Sequence, residues 1–168
     1  MTTADACAAL YLVRHADAGD RTRFSGDDDL ERPLSPRGRE QSARIAERLG
    51  GVAFVRLLSS PAVRCVGTFE PLATARHLAL EEVEALVEGA DPHKALEVLL
   101  ASGASASAPV AACSHGDVLG AILEDILRRG LPVEGKVRLP KAMTVEVALS
   151  AAGEPSHLRF VGPKGGSR

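Results

Sequence analysis

The chain has 168 residues, 45% hydrophobic and 25% charged, which is the balance of a single globular domain able to bury a core without disulfides or metals. Aromatic residues make up 3%, tryptophan is absent and the formal net charge is −2, so neither a base-stacking platform nor a basic field for nucleic acid is available. Cys7, Cys65 and Cys113 are odd in number and widely spaced, without a C-x-x-C pair, which argues against a disulfide framework and against a zinc site.

In chain order, the apolar run from Ala8 to Val13 predicts a buried strand, ending directly on Arg14-His15. Residues 17–34 form a long polar loop, a length that in a compact domain usually carries function. Ser35-Pro36 predicts a helix start, with Ser35 as cap and Pro36 at the first helical position, and Gly50-Gly51 its end. Ala53 to Leu58 predicts the second strand, and Ser59-Ser60-Pro61 a second capped helix start carrying Arg64 in its first turn. Pro71 is expected to interrupt that helix, before a strand over Leu78 to Val83. Asp91-Pro92 opens a further helix, 102–108 reads as a surface connection, and Pro109 to Cys113 as a strand. Asp117 is expected to cap a helix over Val118 to Arg129, ended by Gly130, with last strands over Met143 to Leu149 and Leu158 to Val161. This alternation predicts an α/β sheet covered on both faces. The expected organisation is one domain over 1–168, with 162–168 a frayed tail. No N-terminal export pattern and no apolar run long enough for a membrane span is seen, so a cytosolic chain without membrane partners is expected.

Polar groups cluster at three strand ends: Arg14-His15, Ser59-Ser60-Pro61 with Arg64, and Ser114-His115-Gly116-Asp117. With parallel neighbours these ends converge on one side of the sheet, where ligands of α/β proteins gather. Two helix starts there favour an anion. An arginine beside a histidine suits an anion better than a metal, because a guanidinium cannot ligate and repels a cation. A metal reading of His15-Ala16-Asp17 and His115-Gly116-Asp117 is disfavoured on the same ground. Neutral His15 can attack phosphorus, and nearby cations lower its pKa to keep it neutral. Arg14, Arg64 and His115 would then neutralise the phosphoryl oxygens. Further arginines at 21, 23, 32, 37 and 39 alternate with acids; Arg21 and Arg32 are candidates for substrate binding, against a mutually neutralised loop. His77, His93 and His157 are read as structural, and Cys65 and Cys113 as small core residues.

Leu12-Val13-Arg14-His15-Ala16, Ser60-Pro61-Ala62-Val63-Arg64-Cys65 and Cys113-Ser114-His115-Gly116-Asp117 resemble, in order and spacing, the three core motifs of the histidine phosphatase superfamily. The resemblance implies a phosphoglycerate-mutase-like fold, a three-layer α/β/α sandwich with a mostly parallel central sheet. It also implies His15 as the phosphorylated nucleophile, Arg14, Arg64 and His115 as phosphate binders, and no cofactor. Glu31-Arg32-Pro33-Leu34-Ser35-Pro36-Arg37-Gly38-Arg39 is similar to the matching segment of small bacterial phosphohistidine phosphatases. It is also similar to that of histidine phosphatase domains fused to Nudix hydrolases, although no Nudix segment is present here. Ala16 replaces a glycine common elsewhere in the superfamily, and the missing insertions speak against a mutase. Glu88 is the best positional match for a general acid, with Glu84 second. The expected activity is removal of a phosphoryl group from protein phosphohistidine or a small phosphorylated metabolite. The alternatives are a nucleotide phosphatase and a non-catalytic phosphoryl-binding module. Leaving group and oligomeric state are not legible.

Overall fold

The computed structural model of the protein describes residues 8–106 and 108–163. Cys7 and the tail from 164 onward lie outside the described residues. Strand β1 (Ala9–Arg14) is followed by a long loop, helix α1 (Pro36–Leu49), β2 (Arg56–Ser59), α2 (Val63–Arg76) and β3 (Leu80–Glu82). Then come α3 (Pro92–Ala104), β4 (Val110–Ser114), α4 (Gly116–Arg128), β5 (Val133–Glu134), β6 (Thr144–Leu149) and β7 (Pro155–Val161).

The strands form one seven-stranded sheet in the order β3-β2-β4-β1-β6-β7-β5. β1 and β2 flank β4 in parallel, while β6 runs antiparallel to both β1 and β7, so β6 alone opposes the common direction. Alternation along β1 and β4 divides the core. Leu10, Leu12, Val110 and Ala112 face α3 and α4, whereas Tyr11, Val13, Ala111 and Cys113 face α1 and α2. With helices on both faces, β1 and β4 need apolar residues at nearly every position, which explains their continuous runs. The three-layer α/β/α sandwich follows from this division.

Ser35 caps α1 by accepting the Gly38 amide, with Pro36 in the first turn, and Asp91 caps α3 through His93 N. Gly38 has no freedom to change: a Cβ there would sit 1.9 Å from the Asp17 carbonyl oxygen, where the first loop crosses the helix start.

Three local expectations are corrected. Pro71 does not interrupt α2 but lies inside it. A proline cannot donate to the carbonyl four residues earlier, and here Ser42 Oγ of α1 serves Gly67 O instead at 3.0 Å, with Thr68 O at 2.9 Å. The helix ends at His77, in the left-handed conformation with φ 53°. Second, the cap-plus-proline start at Ser59-Ser60-Pro61 is displaced. α2 begins at Val63 after Ala62, with no side-chain cap, because the Ser60 hydroxyl is turned toward His115. Third, Asp117 is not the cap of α4: His115 holds that position, and the Asp117 carboxylate accepts the Gly89 amide at 2.7 Å. The short edge strand β5 carries no periodic signal in two residues and was not expected.

Candidate active site

β1, β2 and β4 end side by side, and each delivers its motif to the same crevice. Arg14 closes β1 and pairs in register with Ser114 at the end of β4, whose carbonyl accepts the His15 amide at 3.0 Å. Ser59 pairs with Cys113 one step away, which brings the turn into α2 alongside. Arg64 therefore enters from the first turn of α2 and His115 from the start of α4, against the end of β1.

His15 is 6% exposed. Its Nδ1 lies 2.8 Å from the Ala16 carbonyl oxygen, an acceptor only, so Nδ1 carries the proton and Nε2 keeps a free lone pair. The Ala16 amide in turn donates to Thr68 Oγ1 at 2.9 Å, and that hydroxyl donates to Arg64 O at 2.6 Å. Burial pushes the His15 pKa down to about 3, helped by His115, Arg64 and Arg14 and opposed by the Ala16 hydrogen bond. The imidazole is neutral across the physiological range.

Arg64 is 1% exposed. Its Nη1 donates to Asp29 O at 2.7 Å; its Nη2 lies 3.0 Å from Glu88 Oε2, 3.2 Å from Asp29 Oδ2 and 3.3 Å from His115 Nδ1. The rings of His15 and His115 are 5.3 Å apart. Arg14 donates from Nη1 to Leu139 O at 2.7 Å and lies flat against Gly116, where a Cβ would come within 2.8 Å of its Cζ. Glycine at 116 is what admits this guanidinium. The structure thus brings His15, Arg14, Arg64 and His115 together.

Glu88 also lies at this centre, with Oε2 touching both Arg64 and Arg21. Glu84 is exposed on the short turn Glu84–Leu86, which Ser114 Oγ fastens through Leu86 O at 2.7 Å. Arg21, more than half exposed, bridges Glu88 and Asp29 across the mouth. Arg32 is buried, with Nε on Asp29 at 2.7 Å and Nη1 on Ala18 O at 2.8 Å. His77, His93 and His157 stand outside the cluster: His77 ends α2, His93 starts α3, and His157 lies on β7 near Glu134. Cys65 and Cys113 are free and buried, Cys65 Sγ 3.5 Å from His115 Nε2.

Asp29 and Thr68 belong to the site and were not singled out from sequence, and Ser60, read there within a strand-end cluster and a helix start, meets His115. Asp29 sits in an acidic run and meets Arg21, Arg32 and Arg64; these cations, Arg32 foremost, hold its pKa at about 2. Thr68 follows Arg64 by one helical turn, a spacing that signals a shared face. The aspartates that suggested a metal turn elsewhere. Asp17 binds Ser35 Oγ at 2.6 Å and Lys141 Nζ at 3.0 Å, which hold its pKa at about 2, and Asp117 faces Gly89. Among the described residues no group of three or more His, Cys, Asp or Glu could hold a metal ion, and no helix is long and apolar enough to cross a membrane.

A buried neutral histidine thus stands between guanidinium groups at the strand ends of an α/β sandwich, an arrangement suited to an anionic ligand. Residues 10–90 match the model of branch 1 of the histidine phosphatase superfamily, which the chain resembles. It is 34% identical over 117 residues to the 8-oxo-(d)GTP phosphatase of Mycolicibacterium smegmatis, a match covering 68% of this chain and 36% of that protein. The chain therefore spans little more than a third of that relative's length. The fold superposes on the protein histidine phosphatase SixA complexed with tungstate, with TM-score 0.71 and 23% identity over 92% of this chain and 94% of that one. A phosphohistidine phosphatase SixA structure from Nakamurella multipartitia gives TM-score 0.71 and 20% identity over 92% and 95%. These likenesses establish the phosphoglycerate-mutase-like fold.

Proposed function

We propose that the protein is a phosphatase working through a phosphohistidine on His15. The observation that carries this reading is the hydrogen bond from His15 Nδ1 to Ala16 O, which leaves Nε2 unprotonated on a ring that has Arg64 and Arg14 as neighbours. In the first step Nε2 attacks phosphorus while the bond to the leaving group breaks. Arg14, Arg64 and His115 hold the phosphoryl oxygens as charge spreads over them. In the second step water attacks the phosphohistidine, the P–N bond breaks, and inorganic phosphate leaves with Nε2 restored.

Glu88 is proposed to protonate an alkoxide leaving group. A phosphoryl group arriving at Arg64 competes with Glu88 Oε2 for the same guanidinium and frees the carboxyl toward the leaving group. Arg21 at the mouth is proposed to meet the remainder of the substrate. Arg32 is proposed to act beside it through the loop it ties to Asp29 and Ala18. The substrate class proposed is protein phosphohistidine or a small phosphorylated metabolite, with no cofactor, no metal and no nucleic-acid or membrane partner. A cytosolic setting is supported by two free, buried cysteines, Cys65 and Cys113.

A nucleotide substrate is the second reading, and the 34% identity to an 8-oxo-(d)GTP phosphatase favours it. Steady-state kcat/KM on a phosphohistidine protein, a nucleoside triphosphate and a phosphorylated metabolite, with one preparation of the chain, separates them. Preference for phosphohistidine or metabolite supports the first reading; a nucleotide preference of more than about tenfold replaces it with the second. No turnover of any of the three, with phosphate-analogue binding retained, would make the chain a phosphoryl-binding module.

A further inference from the structure

The peptide between Ala16 and Asp17 lies beside the nucleophile, and both of its polar groups are engaged. Its carbonyl oxygen takes His15 Nδ1 at 2.8 Å, and its N–H donates to Gln41 Oε1 at 2.8 Å. A trans peptide is planar, with N–H and C=O pointing in opposite directions, so fixing one end aims the other. The preceding peptide is held separately, its His15 carbonyl by the Ala142 amide at 3.2 Å and its Ala16 amide by Thr68 Oγ1 at 2.9 Å. Among the described residues Gln41 is the one partner of the Asp17 amide. Helix α1 delivers it by a close approach: Gly38 lies one turn before Gln41 on the same face, with the Asp17 carbonyl against the space a Cβ would fill.

We propose that Gln41 is a positioning residue for the nucleophile: it takes the Asp17 amide, turns the Ala16 carbonyl onto His15 Nδ1, and thereby keeps the ring proton off Nε2. The proposal rests on the nucleophilic role of His15 given above. Without that carbonyl acceptor a neutral imidazole can carry its proton on either nitrogen, and a ring protonated on Nε2 has no lone pair there for phosphorus. Burial and the neighbouring cations keep the ring from gaining a second proton instead. The loss is one of reactive tautomer and leaves phosphoryl binding by Arg14, Arg64 and His115 in place.

The experiment joins ring-nitrogen NMR of histidine-labelled protein at neutral pH with steady-state turnover of an aryl phosphate, whose oxygen leaves without an acid. In the wild type, His15 should be protonated on Nδ1 alone, and the Asp17 amide nitrogen should show a through-hydrogen-bond coupling to the Gln41 side-chain carbonyl carbon. Gln41→Met, similar in size but without an acceptor, should mix the His15 tautomers and lower kcat about tenfold with KM unchanged. Gln41→Glu, which keeps an oxygen for the amide, should restore the Nδ1–H tautomer and most of kcat. A wild-type His15 protonated on Nε2, or no coupling between Asp17 and Gln41, overturns the proposal without requiring any variant to fold. So does a Gln41→Met ring that stays protonated on Nδ1 alone. Because the tautomer is read without turnover, it stands or falls separately from the phosphoenzyme, which a His15→Ala assay decides.

Discussion

His15 combines burial with a single committed proton. Its folded pKa of about 3 lies below the ordinary 6.5, so the unfolded chain binds the extra proton first as pH falls. The stabilising contribution of neutral His15 is complete above about 6.5 and is lost between 6.5 and 3. Urea unfolding across that range should show a slope up to about 1.4 kcal/mol per pH unit steeper in the wild type than in His15→Asn; parallel curves would exclude the buried neutral state. Asp17 and Asp29, with pKa values of about 2, add stability that disappears only in a more acidic window. Glu88 makes a different prediction. If it protonates the leaving group, Glu88→Gln should slow alkyl phosphates about a hundredfold or more while aryl phosphates, whose oxygen leaves unaided, lose much less. Equal losses on both would restrict Glu88 to holding Arg64 and Arg21.

At the scale of elements, the expected features that follow from local chemistry are present. The Ser35-Pro36 and Asp91-Pro92 starts depend on a side-chain oxygen meeting an amide two or three residues on, and that geometry is set within one turn. The Pro71 expectation failed because its remedy lies on another helix: Ser42 is 29 positions earlier, and nothing local announces that it reaches Gly67 O. Removing the hydroxyl leaves a buried carbonyl unserved. Ser42→Ala should therefore cost about 1–3 kcal/mol, and distinctly less in a Pro71→Ala background, where residue 71 regains an N–H for Gly67 O. Equal costs in the two backgrounds would mean that Ser42 acts only through packing. Ser60 and Asp117 illustrate the same limit, since each looked like a helix cap and was claimed by a longer-range partner, His115 and Gly89 respectively.

Across the molecule, the motifs at 14–15, 60–65 and 113–117 converge because β1, β4 and β2 are parallel neighbours ending at one edge of the sheet. Their gathering was legible from the apolar runs that precede them. The rim was not: Arg21, Asp29 and Glu88 meet through loops whose course depends on contacts such as Gly38 against Asp17 and Ser114 against Leu86. The antiparallel β6 and the edge strand β5 also escaped, the first in its pairing and the second altogether, because strand order is decided by tertiary packing. The proposed function has one central claim, a covalent bond between phosphorus and His15. Rapid acid-free quench of the protein with a phosphorus-labelled substrate, followed by peptide mapping, tests it directly. An acid-labile, alkali-stable label on His15, formed at least as fast as turnover and absent from His15→Ala, is the predicted result; full turnover by His15→Ala with no label on the wild type would contradict it.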